Sequence, residues 1–116
     1  MGDKRISVGF YKNETGSEPV RDWLQGLDRE EKKLIGEDIK TVEYGYPIGM
    51  PTCRPLGNGL YEVRTNLNRK IARVFFCVHE EKMMLLHGFI KKTQKTPQKE
   101  LDIALKRKRI VEKGER

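Results

Sequence analysis

The sequence predicts an α+β domain with a mainly antiparallel sheet, in the order β-α-α-β-β-β-α. Three observations predict it. Apolar residues alternate with polar ones over 5–11, a period of two. They recur at helical spacing over 18–44 and again over 97–108. Two dense apolar runs, 71–78 and 83–90, follow each other across a tight turn, as central strands covered on both faces do. The 116 residues fit one domain, 1–116 with a core over about 5–110, long enough to bury a core without metals or disulfides.

The elements follow in order. In RISVGFY (5–11), Ile6, Val8 and Phe10 alternate with Arg5, Ser7 and Gly9, which gives a strand. KNETG (12–16) is a turn. Ser17 is a candidate N-cap and Pro19 stands near a helix start, with Val20, Trp23, Leu24 and Leu27 at helical spacing, so a short helix spans 18–26. Asp28 caps a second helix, and Glu31 completes a capping box. Its stripe is Leu34, Ile35, Ile39 and Val42. Gly45 and Pro47 stop it. GYPIGMPTCRPLGNG (45–59) carries four Gly and three Pro and reads as one long loop. Asn58-Gly59 turns into a strand over 60–64, NLNRK (66–70) is a hairpin loop, and strands over 71–78 and 83–90 follow. Thr96 is a candidate N-cap and Pro97 opens a last helix, with Leu101, Ala104, Leu105 and Lys108 on one side. The first strand has no tight turn to a partner, so it joins an edge of the later meander. The helical pair covers one face, and the last helix lies on the other face or along an edge.

Charge is lopsided. Residues 1–50 hold 8 Lys/Arg and 10 Asp/Glu, whereas 51–116 hold 16 and 7, and the whole chain carries +7. A basic half of this kind suits a polyanion. No apolar stretch approaches 18 residues, which excludes a transmembrane helix, and the first ten residues lack a signal-peptide core, so a cytoplasmic protein with no membrane partner is expected. Cys53 and Cys77 have no metal spacing and read as reduced structural thiols.

The chemistry left open is narrow. Neither His79 nor His87 has a ligand partner four residues on, so no metal is expected. No nucleotide-binding glycine loop occurs and only two serines, Ser7 and Ser17, are present, so no cofactor and no serine nucleophile are expected. Residues two apart in a strand share a face. Glu62 with Arg64, Arg73 with Ile71 and Phe75, and Met83, Leu85, His87, Phe89 and Lys91 therefore form three rows, which can meet as one polar cluster mid-sheet. Arg73 lies in an apolar strand and must be paired or solvated; an ion pair with Glu62 is one structural solution. Arginine, lysine and an imidazole around a phosphate suit RNA, whose 2′-OH is an internal nucleophile. KKTQK (91–95) is a candidate phosphate-contact loop, while the basic run 106–109 reads as a solvated helix face.

EPVRDWLQGL (18–27), the segment 35–67 ending in GNGLYEVRTNL, KIARVFFCV (70–78) and LLHGFIKKTQKTP (85–97) together resemble the phage-derived HigB-like toxins of the RelE/ParE toxin superfamily. The resemblance covers roughly residues 8–110. It rests on GxGLYEVR, RVFF and HGFxKKTQKTP in that order. It implies a compact RelE-like fold and the toxin role of a type II toxin-antitoxin system. It also implies growth arrest by ribosome-dependent, metal-independent cleavage of mRNA. The implied partners are a HigA-like helix-turn-helix antitoxin, the ribosome and mRNA, with operator DNA reached only through the antitoxin complex. Carried over by position, Arg64, Arg73, Lys91 and His87 are the candidate catalytic residues. Lys92, Lys95, Arg54 and Lys70 are the candidate RNA-binding ones. Some relatives use a His or Tyr near the C-terminus, but this chain has neither after His87. The general base is thus open between His87, a lysine of depressed pKa and a group of the ribosome. Fold does not dictate function, so two other readings stand beside this one. One is a ParE-like gyrase inhibitor without catalysis. The other is a non-catalytic RNA- or protein-binding module.

Overall fold

The second helix shows how the local signals act. Asp28 accepts a hydrogen bond from the backbone N–H of Glu31 at 2.8 Å, capping α2, which spans Arg29–Gly45. Ile35, Ile39 and Val42 form its buried stripe. In the computed structural model, which describes residues 4–46, 53–92 and 95–114, the other elements are β1 (Ser7–Phe10), α1 (Pro19–Gln25), β2 (Cys53–Gly57), β3 (Leu60–Leu67), β4 (Lys70–His79), β5 (Lys82–Lys91) and α3 (Gln98–Glu112).

The fold is α+β, and among the described residues the sheet has five strands in the order β1-β5-β4-β3-β2. β2 to β5 form an antiparallel meander, and β1 joins its far edge in parallel with β5, Ser7 opposite Lys82. The edge position expected for the first strand is thus observed. One core lies under α1 and α2, where Val20, Ile35, Ile39 and Val42 meet Val63, Val74, Phe76, Met83 and Leu85. The second lies under α3, where Ala104 and Val111 meet Leu60, Phe75, Cys77, Leu86 and Phe89. The closing helix therefore takes the opposite face from the helical pair.

Four sequence expectations change. The stretch read as a loop over 45–59 contains strand β2; 47–52 lie outside the described residues. Pro55 hid this strand, but β2 is an edge, where proline's missing N–H is tolerated, and the register shifts beside it. Ser17 does not cap α1. Its backbone N–H donates to Asn13 Oδ1 at 3.0 Å, and Glu18 takes the N-cap position. Pro97, not Thr96, is the N-cap residue of α3.

The fourth change matters most for the site. Phe75 pairs with His87 but Phe76 pairs with Leu85, so Leu86 is an extra residue in β5. This bulge breaks the alternation. Met83 and Leu85 face the helical pair, whereas Leu86 and Phe89 face α3, and His87 reaches α3. The expected single row from Met83 to Lys91 is thus two rows on opposite faces.

Candidate functional site

The α3-facing side of β2, β3 and β4 carries a carboxylate among three guanidinium groups. Cross-strand pairing sets Arg54 opposite Glu62 and Arg64 opposite Arg73. Glu62 is fully buried. Its carboxylate lies 3.1 Å from Arg73 Nε, 3.3 Å from Arg54 Nε and 3.9 Å from Arg64 Nε. Arg73 is equally buried at 0% exposure, while the side chains of Arg54 and Arg64 are 35% and 19% exposed. One carboxylate cannot neutralise three cations, so the cluster keeps a positive field aimed outward through Arg54 and Arg64. Burial pushes the Arg73 guanidinium below its usual pKa. Glu62 opposes that shift, and the positive charges of Arg64 and Arg54 add to it.

A second group sits on β5. His87 Nε2 is 2.6 Å from Glu100 Oε1, and Lys91 Nζ is 3.9 Å from Glu100 Oε2. Glu100 stands in the first turn of α3, where the helix end favours an acid. His87 is flanked by aromatic rings: Phe89 stacks at 5.7 Å between centroids and Phe75 is tilted at 6.4 Å. Two sides of the imidazole ring are thus packed, and its Nε2 faces an acid. Lys92 and Lys95 are exposed beyond the end of β5; Thr93 and Gln94 of the candidate phosphate loop lie outside the described residues.

The structure therefore brings Arg54, Arg64 and Arg73 together around Glu62, and His87 and Lys91 together around Glu100. Phe75 and Phe89 lie between the two groups, opposite Glu62 and Arg73 respectively. Lys70 does not join them. Its neighbours in the alternation face the helical pair, and its Nζ lies 2.7 Å from Glu31 of α2.

Sequence reasoning missed Glu100, because only the packing of α3 on β5 shows that it meets His87. It also missed Arg107. The run 106–109, expected to be a solvated face, is split: Lys106 and Arg109 are exposed, but Arg107 is half-buried. Arg107 donates to the Leu86 carbonyl at 2.9 Å and lies 5.1 Å from the Tyr11 ring centre. The bulge leaves that carbonyl facing a guanidinium. Burial lowers the pKa of Arg107, and Tyr11 opposes the shift.

Among the described residues no group of three or more His, Cys, Asp or Glu could hold a metal ion, and no helix is long and apolar enough to cross a membrane. The family model of the phage-derived Gp49-like proteins (Phage derived protein Gp49-like, DUF891) matches residues 22–109. The chain belongs to this Gp49-like family. The match runs from α1 into α3, so it takes in both charge clusters and the bulge between them. No curated protein matches the chain. Membership agrees with the phage-derived, toxin-like character implied by the resemblance.

Proposed function

We propose that this Gp49-like protein is the toxin of a type II toxin-antitoxin system, a HigB-like endoribonuclease that cleaves mRNA on the ribosome without a metal. The observation that supports this most is the basic face itself. Six cations, Arg54, Arg64, Arg73, Lys91, Lys92 and Lys95, gather on and just beyond one side of the sheet with two buried carboxylates and one histidine.

In the proposed reaction the RNA 2′-oxygen attacks the adjacent phosphorus. The P–O2′ bond forms, the P–O5′ bond breaks, and charge builds on the non-bridging oxygens. Arg54 and Arg64 bind that charge, since a guanidinium donates two parallel hydrogen bonds to phosphate. Arg73 holds the cluster from behind through Glu62. Lys91, Lys92 and Lys95 hold the backbone. His87, oriented by Glu100, takes the 2′-OH proton, and the 5′-oxygen leaves with a proton from solvent or from a lysine. The proposed partners are a HigA-like helix-turn-helix antitoxin, the ribosome and mRNA. Operator DNA is met only through the antitoxin complex.

The test is induction of the chain alone in a bacterial host, with Arg64→Ala as the control, and mapping of new mRNA 5′ ends. Cuts phased to codons and absent from the control are expected. Growth arrest with DNA breaks and no new 5′ ends would replace the nuclease with a gyrase-type target. No growth effect from a folded, expressed protein would leave only a binding module.

A further inference from the structure

Beside the basic face lies a cleft that shares only His87 with the chemistry above. It encloses about 230 Å³ between α1, β5 and α3, and is lined by Pro19, Val20, Trp23, His87, Gly88 and Arg107. Its walls come from distinct constraints. Pro19 starts α1 and sets Trp23 one turn along. Gly88 has no side chain, so the Trp23 ring rests directly on the β5 backbone; a Cβ there would lie 2.6 Å from Trp23 Cε3. The bulge at Leu86 draws Arg107 to the strand edge. β1 pairs with β5 only as far as Leu85, so the edge beyond that point is open to α1 and to this cleft.

The chemistry of the walls selects a ligand class. An indole offers a flat apolar surface, a guanidinium offers hydrogen-bond donors and positive charge, and an imidazole offers a directional nitrogen. An unpaired nucleobase on a polyanionic strand uses all three. The cleft is also continuous with the basic face. His87 lines it while its Nε2 meets Glu100, and the same Glu100 carries Lys91. From Gly88 to Lys91 the strand advances about 10 Å at ~3.3 Å per residue, so one extended RNA strand can reach both.

We infer that the Trp23–His87–Arg107 cleft is a nucleobase subsite, which holds one unstacked base of the RNA strand whose phosphates lie on the Arg64/Lys91 face. This inference rests on the reading of that face as an RNA-binding surface. It adds where a base goes and which residue it meets. Base contact here selects a single-stranded, splayed-out RNA over a duplex, because a paired base has no free face to offer.

Trp23 is the only tryptophan in the chain, so its emission reports on the cleft alone. The experiment titrates the full chain at low, stated salt with a five-nucleotide oligoribonucleotide, and separately with an abasic oligonucleotide of equal length and charge. Binding is read by anisotropy of an end label and by Trp23 emission. The expected result is anisotropy change with both ligands and saturable quenching with the base-bearing one only. Trp23→Leu, checked by thermal melting, is expected to weaken binding of the oligoribonucleotide about tenfold and to leave the abasic ligand unchanged. Binding of both ligands with equal affinity and no emission change would overturn the subsite while leaving the basic face intact. Absence of binding by either ligand would overturn both readings.

Discussion

Arg73 and Glu62 face each other as fully buried ions on adjacent strands, Nε to Oε2 at 3.1 Å. The pair is not isolated. Arg54 and Arg64 share the same carboxylate from the more exposed side. Glu62 is therefore the hinge between a buried charge and two outward ones, and its removal leaves Arg73 buried among like charges. Glu62→Ala is expected to cost about 3–5 kcal/mol of stability, measured by urea denaturation. Replacing Arg73 and Glu62 together by Met and Leu is expected to cost less than the single change, because no uncompensated ion remains in the interior. A single-mutant loss below the uncertainty of the extrapolation would show that Glu62 does not bear the charge of Arg73.

The exposed cations make a separate prediction. Arg64→Ala is expected to weaken binding of single-stranded RNA and to lower the slope of log affinity against log salt by about 0.7, one phosphate contact. Lys33→Ala, which removes an exposed cation from α2 on the other side of the molecule, is expected to leave that slope unchanged. Equal slopes for both variants would move the RNA away from the sheet face.

Gly88 and Trp23 make a third. The Trp23 ring occupies the space a Cβ would need. Gly88→Ala is expected to destabilise by about 1–3 kcal/mol, the usual cost of overpacking, and to shift Trp23 emission as the indole is displaced toward solvent. An unchanged spectrum with an unchanged melting temperature would place the ring elsewhere.

Alkaline pH should loosen the core under α3. Burial pushes the Cys77 thiol from 9.0 up to about 11; the positive charge of Lys108 opposes this, and Glu112 adds to it. The native state therefore keeps the proton while the unfolded chain loses it. Stability from this group is fully present below pH 9 and is lost as pH rises toward 11. The loss reaches about 2–3 kcal/mol. Cys77→Ala, compared with the parent by denaturation at pH 8 and pH 11, is expected to flatten that part of the profile.

Much of the architecture is legible in the residues themselves. The 3.6 and 2.0 periodicities, the Asp28 cap, the end of α2 at Gly45 and the two double-faced strands are local or near-local signals. Each has one physical solution within a few residues. The charge inventory of the candidate site is legible too, since a mid-strand arginine such as Arg73 calls for a partner and Glu62 lies within one strand of it. Strand β2 is not, because Pro55 is a breaker everywhere except at an edge, and edge status belongs to the whole sheet.

The sequence by itself thus determined the α+β class, the order of most elements, the basic second half and the residue types available for chemistry. Only the tertiary structure decided which of those residues meet. The bulge at Leu86 turns His87 and Phe89 to the α3 face, and α3 then supplies Glu100 to His87 and Arg107 to the Leu86 carbonyl. Lys70, equal to Lys91 on paper, turns instead toward Glu31. The physical reason is that a one-residue register change inverts which face every following side chain takes, while its cost and benefit depend on what packs above and below the sheet.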